Sequence, residues 1–121
     1  MTADEAPILD QAVIAELRES TGDDEEFVRE LVEAYIGEAT GYLDAMSAAA
    51  AAGDSAAMVR PAHTLKSASA TMGAMRLSAI CRGLEEAARE GRTDAPTGDT
   101  QAAQATWAET LEALTAAGLT G

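Results

Sequence analysis

Apolar side chains recur every three or four residues along almost the whole chain, and this spacing restricts the fold more than any other feature. Residues three and four positions apart share one face of an α-helix, so the pattern predicts amphipathic helices. Aromatic residues are few, with one Phe, two Tyr and one Trp in 121 residues. The core is therefore expected to consist of aliphatic and alanine side chains. No alternating β-branched run predicts a strand.

Capping residues predict the first two helices. Residues 1–7 are expected to form a loose terminus, followed by a short helix that Asp10 can cap. A Gly-containing turn ends this helix. Asp23 or Asp24 can cap a long second helix, which stops near Gly53.

The third and fourth helices follow with short connections. Asp54 or Ser55 can cap the third helix, and Gly73 ends it. Pro61 lies inside and lacks a backbone N–H, which predicts either a kink or a late regular start. The segment 74–91 then carries apolar residues on one face and is predicted as the fourth helix.

A loop rich in Gly and Pro, residues 91–99, precedes the last helix, which is predicted to start at Asp99 or Thr100 and to close at Gly118. Four long helices with short connections predict an antiparallel, up-and-down bundle, with a short extra N-terminal helix. The expected fold is thus all-α, in a single domain over residues 1–121.

The charge of the chain excludes some classes of partner. The formal net charge is −13, from 21 acids against 8 bases. Nucleic acids and anionic membrane surfaces both require a basic footprint, so neither is an expected partner. The sequence has no apolar run long enough to span a bilayer, no signal segment, and a single cysteine, Cys81. These features predict a cytoplasmic protein.

The only histidine, His63, lies on the third predicted helix. Consecutive helical residues are about 100° apart, which places His63 about 140° from the centre of that helix's apolar stripe. The ring is therefore expected to be exposed, between Lys66 and Ser67. Ser67 and Ala70 are small, so a second protein could approach the ring closely. The stripe consists of Met58, Ala62, Leu65, Ser69 and Met72.

Basic residues are concentrated near this histidine. Residues 55–92 contain six bases and three acids, a balance of +3, whereas the rest of the chain carries −16. A positive surface around a nucleophilic imidazole suits an anion such as a phosphoryl group. The alternative is an ordinary surface histidine beside a chance cluster of charges. The six bases are Arg60, Lys66, Arg76, Arg82, Arg89 and Arg92.

The stretch "AHTLKSASATMGAMRLSAICRGLEEAAREG" resembles the histidine-containing phosphotransfer (HPt) domain. The family motif has the form His-x-Leu-Lys-[Gly/Ser]-x-[Ser/Ala], then a Gly-Ala turn, a Leu, a Cys and a Leu-Glu. The resemblance extends over roughly residues 8–115. The matching residues are His63, Leu65, Lys66, Ser67, Ser69, Gly73, Ala74, Leu77, Cys81, Leu84 and Glu85.

The resemblance implies a role for each site residue. His63 would be phosphorylated, Lys66 would face the phosphoryl oxygens, and Ser67 would leave room for the partner's active site. Glu85 stands where some members have a glutamine that bonds the histidine ring, and Arg89 matches a basic position of some members. The implied function is a stand-alone carrier that accepts a phosphoryl group from a receiver-domain aspartate and passes it to another receiver.

The implied partners are receiver domains of response regulators or hybrid histidine kinases. No cofactor or metal is expected in this chain, since Mg²⁺ would belong to the receiver. No ATP-binding loop is present, so the chain is expected to be a phosphocarrier without kinase activity of its own. Cys81 lies on an apolar stripe and is expected to be a packed core thiol.

Other functions compete with the relay. The same fold could bind and regulate a partner without phosphotransfer, or the chain could be an unrelated helical adaptor. A sensor-kinase dimerisation domain fits poorly, because no ATP-binding domain accompanies the helices. A monomer is expected. Four apolar residues of the first helix region could either contact a partner or simply cover one end of the bundle: Ile8, Val13, Ile14 and Leu17.

Overall fold

The protein is all-α, as its apolar spacing predicts. The computed structural model describes residues 5–92 and 96–120, and these residues form helices and turns without a strand. The helices in chain order are α1 (Gln11–Ser20), α2 (Glu25–Ala52), α3 (Ser55–Thr71), α4 (Met75–Arg89) and α5 (Pro96–Ala116).

Helices α2 to α5 form the predicted four-helix bundle. Each packs against two others, so that α2 contacts α3 and α5, and α4 contacts α3 and α5. Only two residues connect α2 to α3, and three connect α3 to α4. Such short connections make consecutive helices antiparallel neighbours. The short α1 lies outside this ring and contacts α2.

The core contains many small and aliphatic side chains, as the scarcity of aromatics predicts. Tyr35 and Trp107 supply its aromatic pair, with ring centroids 5.5 Å apart and an edge-to-face angle of 82°. The Tyr35 hydroxyl shares a 2.8 Å hydrogen bond with Ser69 Oγ of α3. Fully buried aliphatic side chains from α2 to α5 surround this pair, among them Val32, Leu43, Met58, Leu65, Leu77, Leu84 and Leu114.

Three aspartates cap helices, and two predicted alternatives are thereby decided. Asp10 accepts a hydrogen bond from the N–H of Ala12 at the start of α1. Asp24, and not Asp23, caps α2, and Asp23 has a positive φ of 61°. Asp54, and not Ser55, caps α3. Each capping carboxylate satisfies a backbone N–H that has no partner within its helix.

Gly73 ends α3, as predicted, and also positions α1. The residue has φ of +80°, and the N–H of Ala74 donates to the carbonyl of Ser69, the bond that closes a Schellman turn. The Gly73 carbonyl accepts a 2.7 Å hydrogen bond from the N–H of Asp10. A Cβ at Gly73 would lie 3.1 Å from the Asp10 carbonyl oxygen and 3.3 Å from Val13 Cβ.

The prediction of a late start for the Pro61 helix is wrong. The α3 helix begins directly after its cap, at Ser55, and continues through the buried Pro61. The N–H that proline lacks would have bonded the carbonyl of Ala57 four residues earlier. Ala57 is an exposed residue, where water can serve that carbonyl instead.

The start of the last helix also differs from the prediction. Its first residue is Pro96 rather than Asp99 or Thr100, so the predicted loop over residues 91–99 is shorter. Proline suits the first position of a helix, since its φ is already helical and its missing N–H has no partner there anyway. Residues 93–95 of the predicted loop lie outside the described residues.

The N-terminal residues that the structure describes are held against α4. Within the segment predicted to be loose, 1–7, the carbonyl of Ala6 accepts from Arg76 Nε, and the carbonyl of Pro7 accepts from the Arg76 N–H, both at 2.9 Å. Ala6 is buried. Residues 1–4 lie outside the described residues.

The apolar residues of the α1 region mainly cover the bundle. Ile14 is only 1% exposed and joins the core cluster, while Leu17 is half-buried against it. Val13 is half-buried over Gly73, and Ile8 is half-buried as well. Of the two roles left open for these residues, the covering role agrees better with their burial.

We expect Gly73→Ala to destabilise the protein more than Gly91→Ala. Both glycines have nearly the same positive φ, +80° and +78°, but nothing lies within 4 Å of a Cβ at Gly91. The left-handed backbone should cost about 1 kcal/mol at each site, and crowding against α1 should add about 1 kcal/mol at Gly73 alone. Urea unfolding of the two variants gives this difference, and equal losses would contradict the close packing of α1.

Candidate functional site

His63 lies on the solvent side of α3, as the helical spacing predicts. Its side chain is 54% exposed. On the opposite side of the same helix, Ala62 and Leu65 are fully buried. The imidazole is therefore accessible from solution, although the helix that carries it is fixed in the bundle by its apolar side.

Glu85 of α4 binds the histidine ring. Its side chain is only 6% exposed, and Oε2 lies 2.9 Å from His63 Nδ1. The two residues stand on adjacent antiparallel helices, so this contact joins α3 to α4. A buried carboxylate requires compensating hydrogen bonds or charges, because transfer from water is costly for an anion.

Lys66 and Arg89 supply that compensation. Lys66 Nζ donates to Glu85 Oε1 at 2.6 Å. Arg89, one turn beyond Glu85 on α4, donates to Oε2 through Nη2 at 2.8 Å and through Nε at 3.1 Å. Each carboxylate oxygen is thus bonded to a cation, and Oε2 also contacts His63. The four side chains His63, Lys66, Glu85 and Arg89 form one cluster, called the histidine cluster below.

The histidine cluster keeps Glu85 ionised. The hydrogen bond from Lys66 lowers the pKa of Glu85 most; burial acts in the opposite direction, and the bonds from Arg89 and His63 lower the pKa further, to about 2. An ionised carboxylate can only accept hydrogen bonds. Nδ1 of His63 is therefore the nitrogen that donates to Glu85, and in the neutral ring the lone pair is on Nε2.

Ser67 and Ala70 leave the ring open on one side. Ser67 is exposed and Ala70 is half-buried, and both side chains are short. By helical geometry they occupy positions four and seven residues after His63, on the same side of α3. The Ser67 carbonyl accepts from Thr71 Oγ1 at 3.1 Å, a bond within the helix. No long side chain from these positions lies beside the imidazole.

Two further hydrogen bonds fix α3, and sequence reasoning missed them both. Ser78 Oγ of α4 donates to the Lys66 carbonyl at 2.8 Å, and Ser69 Oγ is bonded to Tyr35 of α2. The signal for the second bond was present, because Ser69 is the one polar member of an apolar stripe. Buried polar groups of this kind need partners.

The positive segment predicted around His63 is less uniform in the structure. Lys66 and Arg89 belong to the histidine cluster, but Arg92 forms an ion pair with Glu90. Arg76 is bonded to the Ala6 carbonyl and lies 3.9 Å from Glu109. Within the histidine cluster itself, two cations and one carboxylate give a balance of +1 before the ring is counted.

The sequence matches a known family over most of its length. A family model described as the Hpt domain matches residues 30–117, which include the whole histidine cluster. The chain belongs to the Hpt domain family. A solved structure agrees: histidine-containing phosphotransfer protein B (HptB) from Pseudomonas aeruginosa PAO1 is 32% identical, with a TM-score of 0.79, over 88% of this chain and 90% of that one. No curated protein sequence matches significantly.

Among the described residues, no group of three or more His, Cys, Asp or Glu side chains could hold a metal ion. Cys81 is fully buried in the core, as predicted, and burial raises the pKa of its thiol to about 12. Within the same described part of the Hpt domain, no helix is long and apolar enough to span a membrane.

We expect Glu85 to make the stability of this Hpt domain fall at acid pH. The pKa of Glu85 is about 2 in the folded protein against an ordinary 4.5, so between these values the unfolded chain takes up a proton that the folded one does not. Stability from this group is present above pH 4.5 and is lost as the pH falls toward 2. The full difference should be about 3 kcal/mol.

Urea unfolding at several pH values checks this expectation. The stability gap between the native chain and Glu85→Gln should shrink as the pH falls from 5 to about 2. Glu86→Gln is the matched control, because Glu86 is the exposed neighbour of Glu85 on the same helix. A gap that stays constant with pH in Glu85→Gln would show that the carboxylate is not selectively stabilised in the folded state.

Proposed function

We propose that this chain accepts a phosphoryl group from an aspartate of a receiver domain onto Nε2 of His63, and passes it to another receiver. The family supports the coarser statement, that the chain is a histidine phosphotransfer protein. The observation that carries the finer one is the 2.9 Å contact between His63 Nδ1 and the buried Glu85 carboxylate. It leaves Nε2 as the nucleophilic nitrogen on an exposed ring.

The proposed transfer needs no cofactor from this chain. The Nε2 lone pair of the neutral imidazole attacks phosphorus, the bond from phosphorus to the partner's aspartyl oxygen breaks, and the aspartate leaves as a carboxylate. His63 then carries both the phosphoryl group and its Nδ1 proton, so the ring is a cation. The Glu85 anion beside Nδ1 stabilises that cation, and the reverse reaction regenerates neutral His63.

The surroundings of His63 suit such a transfer. The balance of +1 from Lys66, Arg89 and Glu85 offsets part of the charge of a phosphoryl dianion. The short side chains at Ser67 and Ala70 give the receiver's active site room to reach Nε2. Mg²⁺ would be supplied by the receiver domain, and we infer that this chain, as a phosphocarrier, has no ATP-dependent kinase activity of its own.

The receiver is proposed to rest on an apolar groove that begins five residues after His63 along α3. The groove runs between α2 and α3, and Ala68 and Thr71 line it on the α3 side, next to Ser67. Leu31 and Ala34 line it on the α2 side. Phe27, one turn before Leu31, extends this apolar strip and is 45% exposed, unusually so for a large apolar side chain.

The alternative is a regulatory binding module that uses the same surface without phosphotransfer. The arrangement of the histidine cluster favours the relay. A module that only binds has no need for an imidazole whose tautomer is fixed and whose second nitrogen is open to solution. The two functions differ in one measurable property, the appearance of phosphohistidine.

We expect a phosphorylated receiver domain to label this protein at His63. The label should be acid-labile and base-stable, as a phosphoramidate is, and ATP alone should give none. Because the chain has a single histidine, His63→Gln should abolish the label completely. A panel of receiver domains, each phosphorylated with acetyl phosphate, provides the assay, and failure of all of them would exclude the relay.

A histidine moved to another exposed position tests whether exposure alone is enough for labelling. Glu112 is exposed on α5, so the double variant His63→Gln with Glu112→His keeps one accessible histidine per chain. This variant lacks the Glu85 and Lys66 neighbours and should stay unlabelled. Equal labelling of the relocated histidine would mean that the histidine cluster contributes nothing to the reaction.

We expect Phe27→Ala to weaken transfer from a receiver without changing the chemistry at His63. Loss of an exposed anchor should reduce the apparent affinity for the receiver about tenfold. Labelling by phosphoramidate, a small donor that needs no docking surface, should be unchanged. The matched control is Ile36→Ala, since Ile36 lies on the opposite side of α2. Equal effects of the two variants would argue against docking along the groove.

A further inference from the structure

Lys66 is already bonded to a carboxylate in the unphosphorylated protein. The resemblance assigns its ammonium to the phosphoryl oxygens, yet Nζ lies 2.6 Å from Glu85 Oε1. Once His63 carries a phosphoryl dianion, two anions compete for this ammonium. Whether Lys66 can change partner depends on what its departure would do to Glu85.

Glu85 could not be left without a cation. Its side chain is 6% exposed, and a buried carboxylate with no compensating partner is strongly unfavourable. If Lys66 were the only cation on Glu85, the ammonium would be held there, and the phosphoryl group would gain little from it.

Arg89 removes this restriction. Its two N–H groups bond Oε2, at 2.8 and 3.1 Å, whereas Lys66 bonds the other oxygen, Oε1. Departure of Lys66 therefore leaves Glu85 with a charged partner and with the His63 Nδ1–H.

We propose that Arg89 is a positioning residue that holds the Glu85 carboxylate while Lys66 moves from Glu85 to the phosphoryl group on His63. The proposal rests on the proposed function. Only hydrogen bonds are exchanged in this step, and no further covalent bond is made or broken.

The position of Lys66 allows the exchange. Lys66 follows His63 by three residues, a spacing that brings two side chains together on a helix. Its side chain is 27% exposed, so the ammonium has access to the solvent side on which Nε2 lies. Glu85 bonds Nδ1, so a phosphoryl group on Nε2 would lie about one ring width beyond the carboxylate. Rotation about the bonds of the long Lys66 side chain is the movement proposed to carry the ammonium from one anion to the other.

A mutant cycle with a chemical donor tests this proposal. Potassium phosphoramidate is used to phosphorylate His63, and ³¹P NMR records the phosphohistidine signal and its rate of appearance. Lys66→Gln is made in three backgrounds: the native chain, Arg89→Gln and Arg92→Gln. Arg92 is the matched control, because it is the next arginine after Arg89, just beyond α4, and pairs with Glu90 instead of Glu85.

In the native and Arg92→Gln backgrounds, Lys66→Gln should displace the ³¹P signal and slow labelling about tenfold, because a charge-assisted hydrogen bond to the phosphoryl oxygens is lost. In Arg89→Gln, where Lys66 stays on Glu85, the ³¹P signal should already stand at its displaced position, and adding Lys66→Gln should move it no further. Circular dichroism checks that this double variant, which leaves Glu85 without a cation, is still folded. Glu85→Gln added to Arg89→Gln should restore the Lys66 effect, since the carboxylate that holds the ammonium is gone.

Equal effects of Lys66→Gln in all three backgrounds would overturn the proposal, and so would a ³¹P displacement by Arg89→Gln that persists without Lys66, since Arg89 would then bind the phosphoryl group itself. Should Arg89→Gln fail to fold, Arg89→Met tests the same point, because it also removes the cation from Glu85 but keeps a long side chain at this position. Absence of any phosphohistidine in the native chain would instead refute the proposed function.

Discussion

The position of His63 depends on one interaction, the buried carboxylate of Glu85 between α3 and α4. A carboxylate that is only 6% exposed is stable only when its oxygens are hydrogen-bonded. Lys66 and Arg89 provide these bonds, one on each carboxylate oxygen. Once the carboxylate is fixed and ionised, the Nδ1 proton of His63 has an acceptor and the ring has an orientation. The buried Glu85 carboxylate thus fixes the orientation of the exposed His63 ring.

Contacts with the rest of the bundle hold α3 in the position that brings His63 to Glu85. The helix is held on its apolar side by Leu65 and by the bond between Ser69 and Tyr35, and on the α4 side by the bond from Ser78 to the Lys66 carbonyl. Short side chains on the outer face of α3 leave the His63 ring accessible. They do not weaken the core, because the packing energy of α3 comes from its apolar face.

Much of the fold and the position of the histidine could be predicted because they depend on local rules. Periodicity gave the all-α class and the exposed His63, and capping chemistry gave the starts of three helices. Pro96 could also have been found by the preference of proline for a first helical turn. The pairing of Lys66 with Glu85 could not be predicted, because the axial register of two helices is set by core packing and not by either helix alone. The same holds for the exposure of Phe27, which depends on where α3 ends beside α2.

A carboxylate at position 85 has a consequence that an amide would not have. Both can accept a hydrogen bond from Nδ1–H, but only the anion favours the cationic ring that exists while phosphorus is bound to Nε2. That preference favours phosphorylation of His63. It also keeps Nδ1 protonated, so that the ring leaves as neutral imidazole when the phosphoryl group passes to the next receiver. The anion would repel the phosphoryl oxygens if it stood alone. Lys66 and Arg89 reverse the sign of the local charge, so the carboxylate can support the ring without opposing the group that the ring carries.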